Sequence, residues 1–363
     1  MYDLSEITEI CLSKIKNNRY KNILYASPSY NPPYRYYWIR DAAIVYKSII
    51  DMYNHSKQDS LFVLIINYIE TETKIQNIKT MGGLGEPKIN LDLTAFNGSW
   101  GRPQNDGPAL RGINMIKLYN ILFNDHTSIC LKIILPIITK DIDYIVNNYN
   151  KPCFDLWEEN YGWHFYTRAV QLKFIKDYID FTGKYNIHYD KIKITTVYEE
   201  LQESIKHHLD YSIISSFDEN GTIIKKNDAS ILLALCHTDY DEIILNNVDI
   251  NKFIKVSEEL IHYFKIKYNN NNYNLIGRYE NDAYYNGHIW IICSLAVAQL
   301  YLYISKNYYK LGVDIINYIL SIDSNINLAE QYDIDNEKQL SAKNLTWNYS
   351  ELYFSYKLIN YNV

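Results

Sequence analysis

An all-α ring of six helical hairpins, an (α/α)6 toroid with inner and outer helix rings, is the fold that this 363-residue sequence predicts. Three observations lead to it. Apolar residues recur with the 3.6-residue helical period along the whole chain, whereas β-type alternation rarely survives more than a few residues. Between the helical stretches lie islands of unlike composition, anchored at Asp41, Trp100, Glu158, Arg278 and Glu330, at intervals of 59, 58, 120 and 52 residues. The loop FDENGTIIKKNDAS, from Phe217 to Ser230, fills the slot that the double interval leaves open. Six hairpins of about sixty residues, each bringing a loop to the same end, close into a ring with a pocket at one mouth. No Pro/Gly/Ser linker or sustained charge run divides the chain, so one domain is expected over 1–363.

About twelve helices are predicted, near 4–17, 41–54, 59–77, 107–124, 128–147, 163–182, 192–213, 228–236, 251–266, 287–306, 310–322 and 341–358. In the second, Asp41 sits in the first turn, where the helix dipole favours an acid. Pro136 inside the fifth predicts a kink or a break, because proline lacks the donor and crowds the preceding turn. His207 and His208, on the polar face of the seventh, read as a solvated pair rather than a metal site. The run YNNNNYN from Tyr268 to Asn274, after the ninth, reads as a polar loop. Within the tenth, IWIICSLAVAQLYLYI from Ile289 to Ile304 is apolar all round, yet short for a membrane span and interrupted by Ser294 and Gln299. It is expected to be an inner stave, buried on all sides.

Composition narrows the function classes. Lys+Arg 36 against Asp+Glu 42 gives a net charge of −6 with no basic patch, which leaves nothing for a phosphate backbone to bind. No nucleic-acid or membrane partner is expected. Five scattered cysteines (Cys11, Cys130, Cys153, Cys236, Cys293) contain no CxxC pair and read as buried thiols in a reducing compartment. The N-terminal stretch lacks the charged leader and apolar run of a signal peptide, so a cytoplasmic monomer without metal or cofactor is expected.

The islands carry the chemistry. FDLWEENYGWHF, from Phe154 to Phe165, sets Glu158 and Glu159 among aromatic rings without lysine partners at helical spacing. A carboxyl held against rings loses solvation in its charged form, which suits it to donate a proton near neutral pH. The chain has 29 Lys and only 7 Arg, yet six arginines (Arg35, Arg40, Arg102, Arg111, Arg168, Arg278) and all six tryptophans (Trp38, Trp100, Trp157, Trp163, Trp290, Trp347) sit in or beside the islands. That placement asks for the planar guanidinium fork, which lysine cannot supply.

In order along the chain, YRYYWIRDAAIV, GLGEPKINLDLTAFNGSWGRPQNDGPALR, FDLWEENYGWHF, GRYENDAYYNGHIW, the EQYD of Glu330–Asp333 and LSAKNLTWNYSELY resemble the successive blocks of the glucoamylases, glycoside hydrolase family 15. The resemblance runs from about Ile23 to Tyr353. It implies an (α/α)6 toroid that releases glucose, with inversion, from the non-reducing ends of α-1,4-glucans such as starch, glycogen or maltooligosaccharides. By position, Glu158 matches the family's general acid and Glu330 its general base, the pair that inversion needs on opposite faces of the sugar. Glu159, Arg40, Asp41 and Arg278 match residues that hydrogen-bond the terminal glucose. Tyr34 and Gln331 match groups near the base and its water, and Trp38, Trp100, Trp157, Trp290 and Trp347 match pocket aromatics.

Plainer readings stand beside these. Arg40–Asp41 alone reads as a helix-start ion pair, and Trp290 and Trp347 as core. Glu337 competes with Glu330 as the family-like acid, although the 17 residues from Glu330 to Trp347 favour Glu330. Asn105 and Asn281 stand where the family carries a basic and an acidic residue, and are expected to line outer subsites. No starch-binding module is visible. Cleavage of isomaltose, dextran or trehalose, and a catalytically silent sugar-binding ring, are the alternative functions.

Overall fold

The computed structural model describes residues 2–269 and 274–361, so the centre of the run Tyr268–Asn274 lies outside the described residues. Among the described residues twelve principal helices are present: α1 (Leu4–Asn17), α2 (Ile39–Ser56), α3 (Asp59–Ile75), α4 (Asp106–Leu122), α5 (127–148), α6 (Phe165–Tyr185), α7 (Lys191–Lys206), α8 (Ser230–His237), α9 (Ile250–Lys267), α10 (Ile291–Ile304), α11 (Lys306–Ser321) and α12 (Thr346–Tyr361). Each coincides with a stretch of helical periodicity. The expected break at Pro136 takes the form of a π-helical turn at Cys130–Ile134, after which the α-helix resumes at Leu135–Asn148 with the proline in its first turn, where the missing donor is best tolerated. The seventh helix stops at Lys206, short of the expected 213, and His208 folds inward. It is buried, hydrogen-bonds the Ile214 carbonyl through Nδ1, and burial drives its pKa down to about 3. The expected solvated pair is therefore one exposed and one core histidine.

Even-numbered helices pack side by side as a closed circle, α2–α4–α6–α8–α10–α12 and back to α2. Odd-numbered helices lie outside them: α3 on α2, α5 on α4, α7 on α6, α9 on α8, α11 on α10, and α1 on α12. This is the (α/α)6 toroid. Inner helices are touched on every side, and α10 is accordingly apolar all round, buried from Ile291 to Leu302. Where α4 crosses α6, a Cβ on Gly112 would stand 2.3 Å from the Phe174 ring, so only glycine lets the two helices approach that closely. Among the described residues no helix is long and apolar enough to cross a membrane. All five cysteines are buried and unpaired.

Connections differ sharply at the two ends. Most inner helices pass to outer ones through short links, two residues (57–58) after α2 and Ser305 alone after α10, while 238–249 after α8 is longer and holds the helical turn Glu242–Leu245. Outer helices return to inner ones through the long segments 18–38, 76–105, 149–164, 207–229, 268–290 and 322–345, which contain the sequence islands. Short antiparallel pairings knit these segments into a collar: Tyr37–Trp38 with Lys88–Ile89, Tyr161–His164 with Ser216–Phe217, and Ile289–Trp290 with Gln331–Asp333. The bridge Asp228↔Tyr279 and the backbone bonds Phe154 N–H to Pro103 O and Thr346 N–H to Ala26 O complete the circle.

One island arginine belongs to this scaffold alone. Arg111, 1% exposed, bonds Asp141 through Nε (2.8 Å) and Nη2 (2.5 Å) and Glu72 through Nη1 (2.9 Å), tying α4 to α5 and α3. Arg111→Met would leave two buried carboxylates without a cation. A loss of about 3–5 kcal/mol is expected, read from the urea midpoint of unfolding; a change below about 1 kcal/mol would contradict the ion pairing.

Candidate active site

The collar surrounds a cavity of ≈ 390 Å³ at the N-terminal ends of the inner helices. Twelve of the thirteen residues singled out in the sequence line it: Tyr34, Trp38, Arg40, Asp41, Trp100, Trp157, Glu158, Glu159, Arg278, Trp290, Glu330 and Trp347. Gln331 does not. Its amide is buried in the strand Gln331–Asp333, and among the described residues neither polar atom has a hydrogen-bond partner. Asn105 is also no part of the wall; it is buried, accepts from Tyr144 (2.7 Å) and precedes α4. Asn281 lies at an exposed turn, its N–H donated to Tyr263. A roomier groove of ≈ 640 Å³, at the short-link end between α1, α2 and α12, carries the lone carboxylate Glu9.

Asp155 builds the turn that presents the two glutamates. Its backbone oxygen accepts from Glu158 N–H, and its Oδ1 accepts from Glu159 N–H (2.8 Å) and Asn160 N–H (3.1 Å). Burial works to raise the Asp155 pKa, but the Lys225 ammonium and these donors hold it below the usual value. Glu158 takes a left-handed backbone, φ 66°, a conformation that costs a non-glycine residue of order 1 kcal/mol and that recurs at functional sites.

The aromatic wall expected around Glu158 meets it with donors rather than bare faces. Trp38 Nε1 donates to Oε1 (2.8 Å) and Trp100 Nε1 to Oε2 (2.7 Å). Gln104 Nε2 (3.1 Å) and Arg40 Nη2 (3.4 Å) also reach Oε1. Glu159 belongs to a separate cluster, accepting from Arg278 Nη2 (2.7 Å), Tyr279 (2.5 Å) and Lys225 (3.2 Å). The two neighbours in sequence are thus divided between different cationic partners.

Lining the same cavity, Glu330 is 2% exposed and held by hydroxyls: Tyr34 donates to Oε1 at 2.6 Å and Ser341 to Oε2. Burial pushes its pKa up to about 6, against the pull of those hydroxyls and of Arg278. Asp41 is pushed further, to about 7, by burial and by the neighbouring carboxylates, with Arg40 Nε 3.8 Å away as its cation. Trp290 Nε1, Trp347 Nε1 and Arg40 Nε are buried without a hydrogen-bond partner among the described residues. Such orphaned donors on a cavity wall are what a ligand rich in hydroxyls would satisfy.

Arg278 is clamped, with Nε and Nη2 on Asp282 (2.8 and 2.7 Å) and its guanidinium packed against Trp157, Tyr279, Tyr284 and Trp290. The remaining island cations serve elsewhere. Arg102 bonds Glu86 and three backbone oxygens of the loop that carries Trp100, Arg35 stacks on Tyr25 and Tyr30, and Arg168 stacks on Trp163. Sequence reasoning passed over Asp228, which accepts from Trp157 Nε1 (2.9 Å), and over Lys225, Ser341 and Tyr284. Their one signal was position. Lys225 and Asp228 fall in the Gly/Asn/Asp loop of the fourth slot, and Ser341 and Tyr284 inside quoted blocks.

Beneath the cavity the ring is plugged. Tyr166 bonds His237 Nδ1 (2.6 Å), His237 Nε2 meets Glu351 (3.2 Å), and the His237 ring lies edge-on to Trp347. A cavity closed below and open at the collar admits a chain end.

Residues 12–322 match the family model described as Glycosyl hydrolases family 15, a stretch that ends before Glu330 and Trp347. Glucoamylase-1 of Schizophyllum commune is 34% identical over 305 residues, covering 77% of this chain and 51% of its own length. A probable glucoamylase of Schizosaccharomyces pombe is 27% identical over 378 residues, covering 90% of this chain and 82% of its own. The chain thus spans about half the length of the first relative and most of the second. Among solved structures, the glucoamylase of Hormoconis resinae superposes with a TM-score of 0.88 at 23% identity, over 99% of this chain and 74% of that one. That of Saccharomycopsis fibuligera gives 0.84 at 22% identity, over 99% and 95%. These likenesses carry the same fold. Matched by the family's model over most of its length, the chain belongs to the glycosyl hydrolases family 15.

Proposed function

We propose that this protein is an inverting, exo-acting glycoside hydrolase that releases β-D-glucose from the non-reducing ends of α-1,4-glucans. The observation that carries this reading is the pairing of two differently supported carboxylates, Glu158 and Glu330, on the wall of one plugged cavity. Glu158 is the general acid, protonating the glycosidic oxygen. Glu330 is the general base, taking a proton from water as it attacks the opposite face of the sugar. Tyr34 and Ser341 orient the base. Asp41, Arg278, Trp290 and Trp347 bind hydroxyls of the terminal glucose, and Glu159 acts with Arg278. The names carried by the relatives, all glucoamylases, support the choice of substrate.

The test follows the anomer by proton NMR during hydrolysis of maltotriose. β-Glucose is expected first, with α-glucose growing in only as mutarotation proceeds. On soluble starch, glucose is expected from the earliest times while polymer size falls slowly. Initial α-glucose, or rapid loss of polymer size with little glucose, defeats the proposal; a sugar-binding ring without catalysis releases none. Parallel assays on isomaltose and trehalose set the linkage.

A further inference from the structure

Lys88 is a buried lysine without a carboxylate. Its residue is 1% exposed, and its ammonium makes no hydrogen bond or ion pair among the described residues. Its ammonium is instead caged by ring faces, 3.1 Å from the centre of Trp100, 4.3 Å from Phe96, and 4.6 Å from both Trp38 and Tyr36. Strand register brings this about, because Lys88 pairs directly with Trp38 across Tyr37–Trp38 and Lys88–Ile89. The two cage members closest to the site, Trp38 and Trp100, are the ones whose Nε1–H groups hold opposite oxygens of Glu158.

A cation over an indole face draws electron density from the ring and makes its N–H a stronger donor. It also resists rotation of either ring, since each would expose the ammonium to an uncompensated apolar wall. We propose that Lys88 is a positioning residue for Glu158, its charge reaching the carboxylate through the two indoles that it holds in place. The inference rests on the reading of Glu158 as the proton donor. The charge is present through the neutral range: burial pushes the Lys88 pKa down, Glu158 opposes that, and it comes to about 8. Other charged groups share the field. Arg40 reaches Glu158 from α2, Asp106 sits against Arg40 from α4, Asp41 and Glu330 line the same cavity, Arg278 lies on Glu159, and Arg102 pairs with Glu86 beside the cage.

The sign of the effect is fixed. A nearby cation favours the carboxylate, so removing it makes Glu158 hold its proton to higher pH. Lys88→Met, which keeps the length of the stem, is expected to move the alkaline limb of kcat/KM on maltose upward by about half to one pH unit. Because a weaker acid protonates the leaving oxygen less readily, kcat on maltose is expected to fall by about two- to fivefold, and much less on α-glucosyl fluoride. Lys88→Arg keeps a cation able to stack on the indoles and is expected to restore the limb. The indole Nε1–H resonances of Trp38 and Trp100, followed by 15N NMR against pH, report Glu158 protonation without turnover, and their midpoint is expected to shift in step. If the wild-type chain releases no glucose, the proposed function fails while this titration still decides the role of Lys88. Limb and midpoint unchanged in a folded Lys88→Met, with only the melting temperature lowered, would overturn the inference and leave Lys88 structural.

Discussion

Glu158→Gln is expected to cut kcat on maltose by about a thousandfold or more while sparing much of the activity on α-glucosyl fluoride. Maltose loses a sugar alkoxide, which must be protonated as it leaves, whereas fluoride needs little help. The geometry sharpens the expectation. Trp38 and Trp100 donate to different oxygens of Glu158, so glutamine, with one acceptor, leaves one indole unpaired as well as removing the proton. Glu330→Gln removes water activation whichever group departs, and both substrates are expected to suffer, by about a hundred- to ten-thousandfold. Two variants behaving alike on both substrates would show the roles to be wrongly divided.

The same division fixes the acid limb of the pH profile. A general base works only as its anion, and Glu330 gains its proton as pH falls through about 6, so kcat/KM is expected to decline below that value. Asp41, at about 7, titrates in a neighbouring window. Tyr34→Phe separates the two, because it deletes a donor that stabilises ionised Glu330 and none that serves Asp41. A limb belonging to Glu330 moves up in that variant.

Periodicity made the ring legible because inner and outer helices both bury apolar faces, and the spacing of the islands is the spacing of the long return segments. Twelve cavity residues could be named because the islands resemble the family's blocks position by position; composition marked seven of them independently, since the collar is nearly the only place where this Lys-, Asn- and Ile-rich chain uses Arg and Trp. That criterion also misled. Arg111 and Arg168 are rare residues near islands, but they lie one or two turns inside α4 and α6, where the side chain points into the scaffold. The sequence carried no sign that Glu158 is met by indole N–H groups, since Trp38 and Trp100 come from other segments and only the strand pairing and collar bring them there. Lysines were invisible for the opposite reason. Among 29 of them, nothing local distinguishes Lys88 in its cage, or Lys225 on Glu159, from a solvated one.

Arg278→Lys is expected to lower kcat/KM by about ten- to a thousandfold, a loss of about 1.4 to 4 kcal/mol of transition-state binding, with the ring still folded. The positive charge survives the change; the fork does not. In the native protein Nε and Nη2 meet the two oxygens of Asp282, Nη2 also meets Glu159, and the flat guanidinium fills the space between Trp157, Tyr284 and Trp290. A lysine ammonium is a single point without the planar fork, so it cannot keep the paired contact with both oxygens of Asp282 together with that to Glu159, and the aromatic faces lose their packing. Groups that hold glucose hydroxyls would then be misplaced by about an ångström, a displacement that costs more as the ring flattens toward the transition state than in the ground state. The loss should therefore fall largely on kcat. Arg40→Lys is expected to act in the same direction, since Arg40 joins Gln104 and Asp106 through Nη1 and Glu158 through Nη2. Kinetics on maltose and maltotriose, beside a thermal melt of each variant, decide the matter. An Arg278→Lys protein with unchanged kcat/KM would place that arginine in the scaffold with Arg111, and an equal loss of stability and activity would do the same.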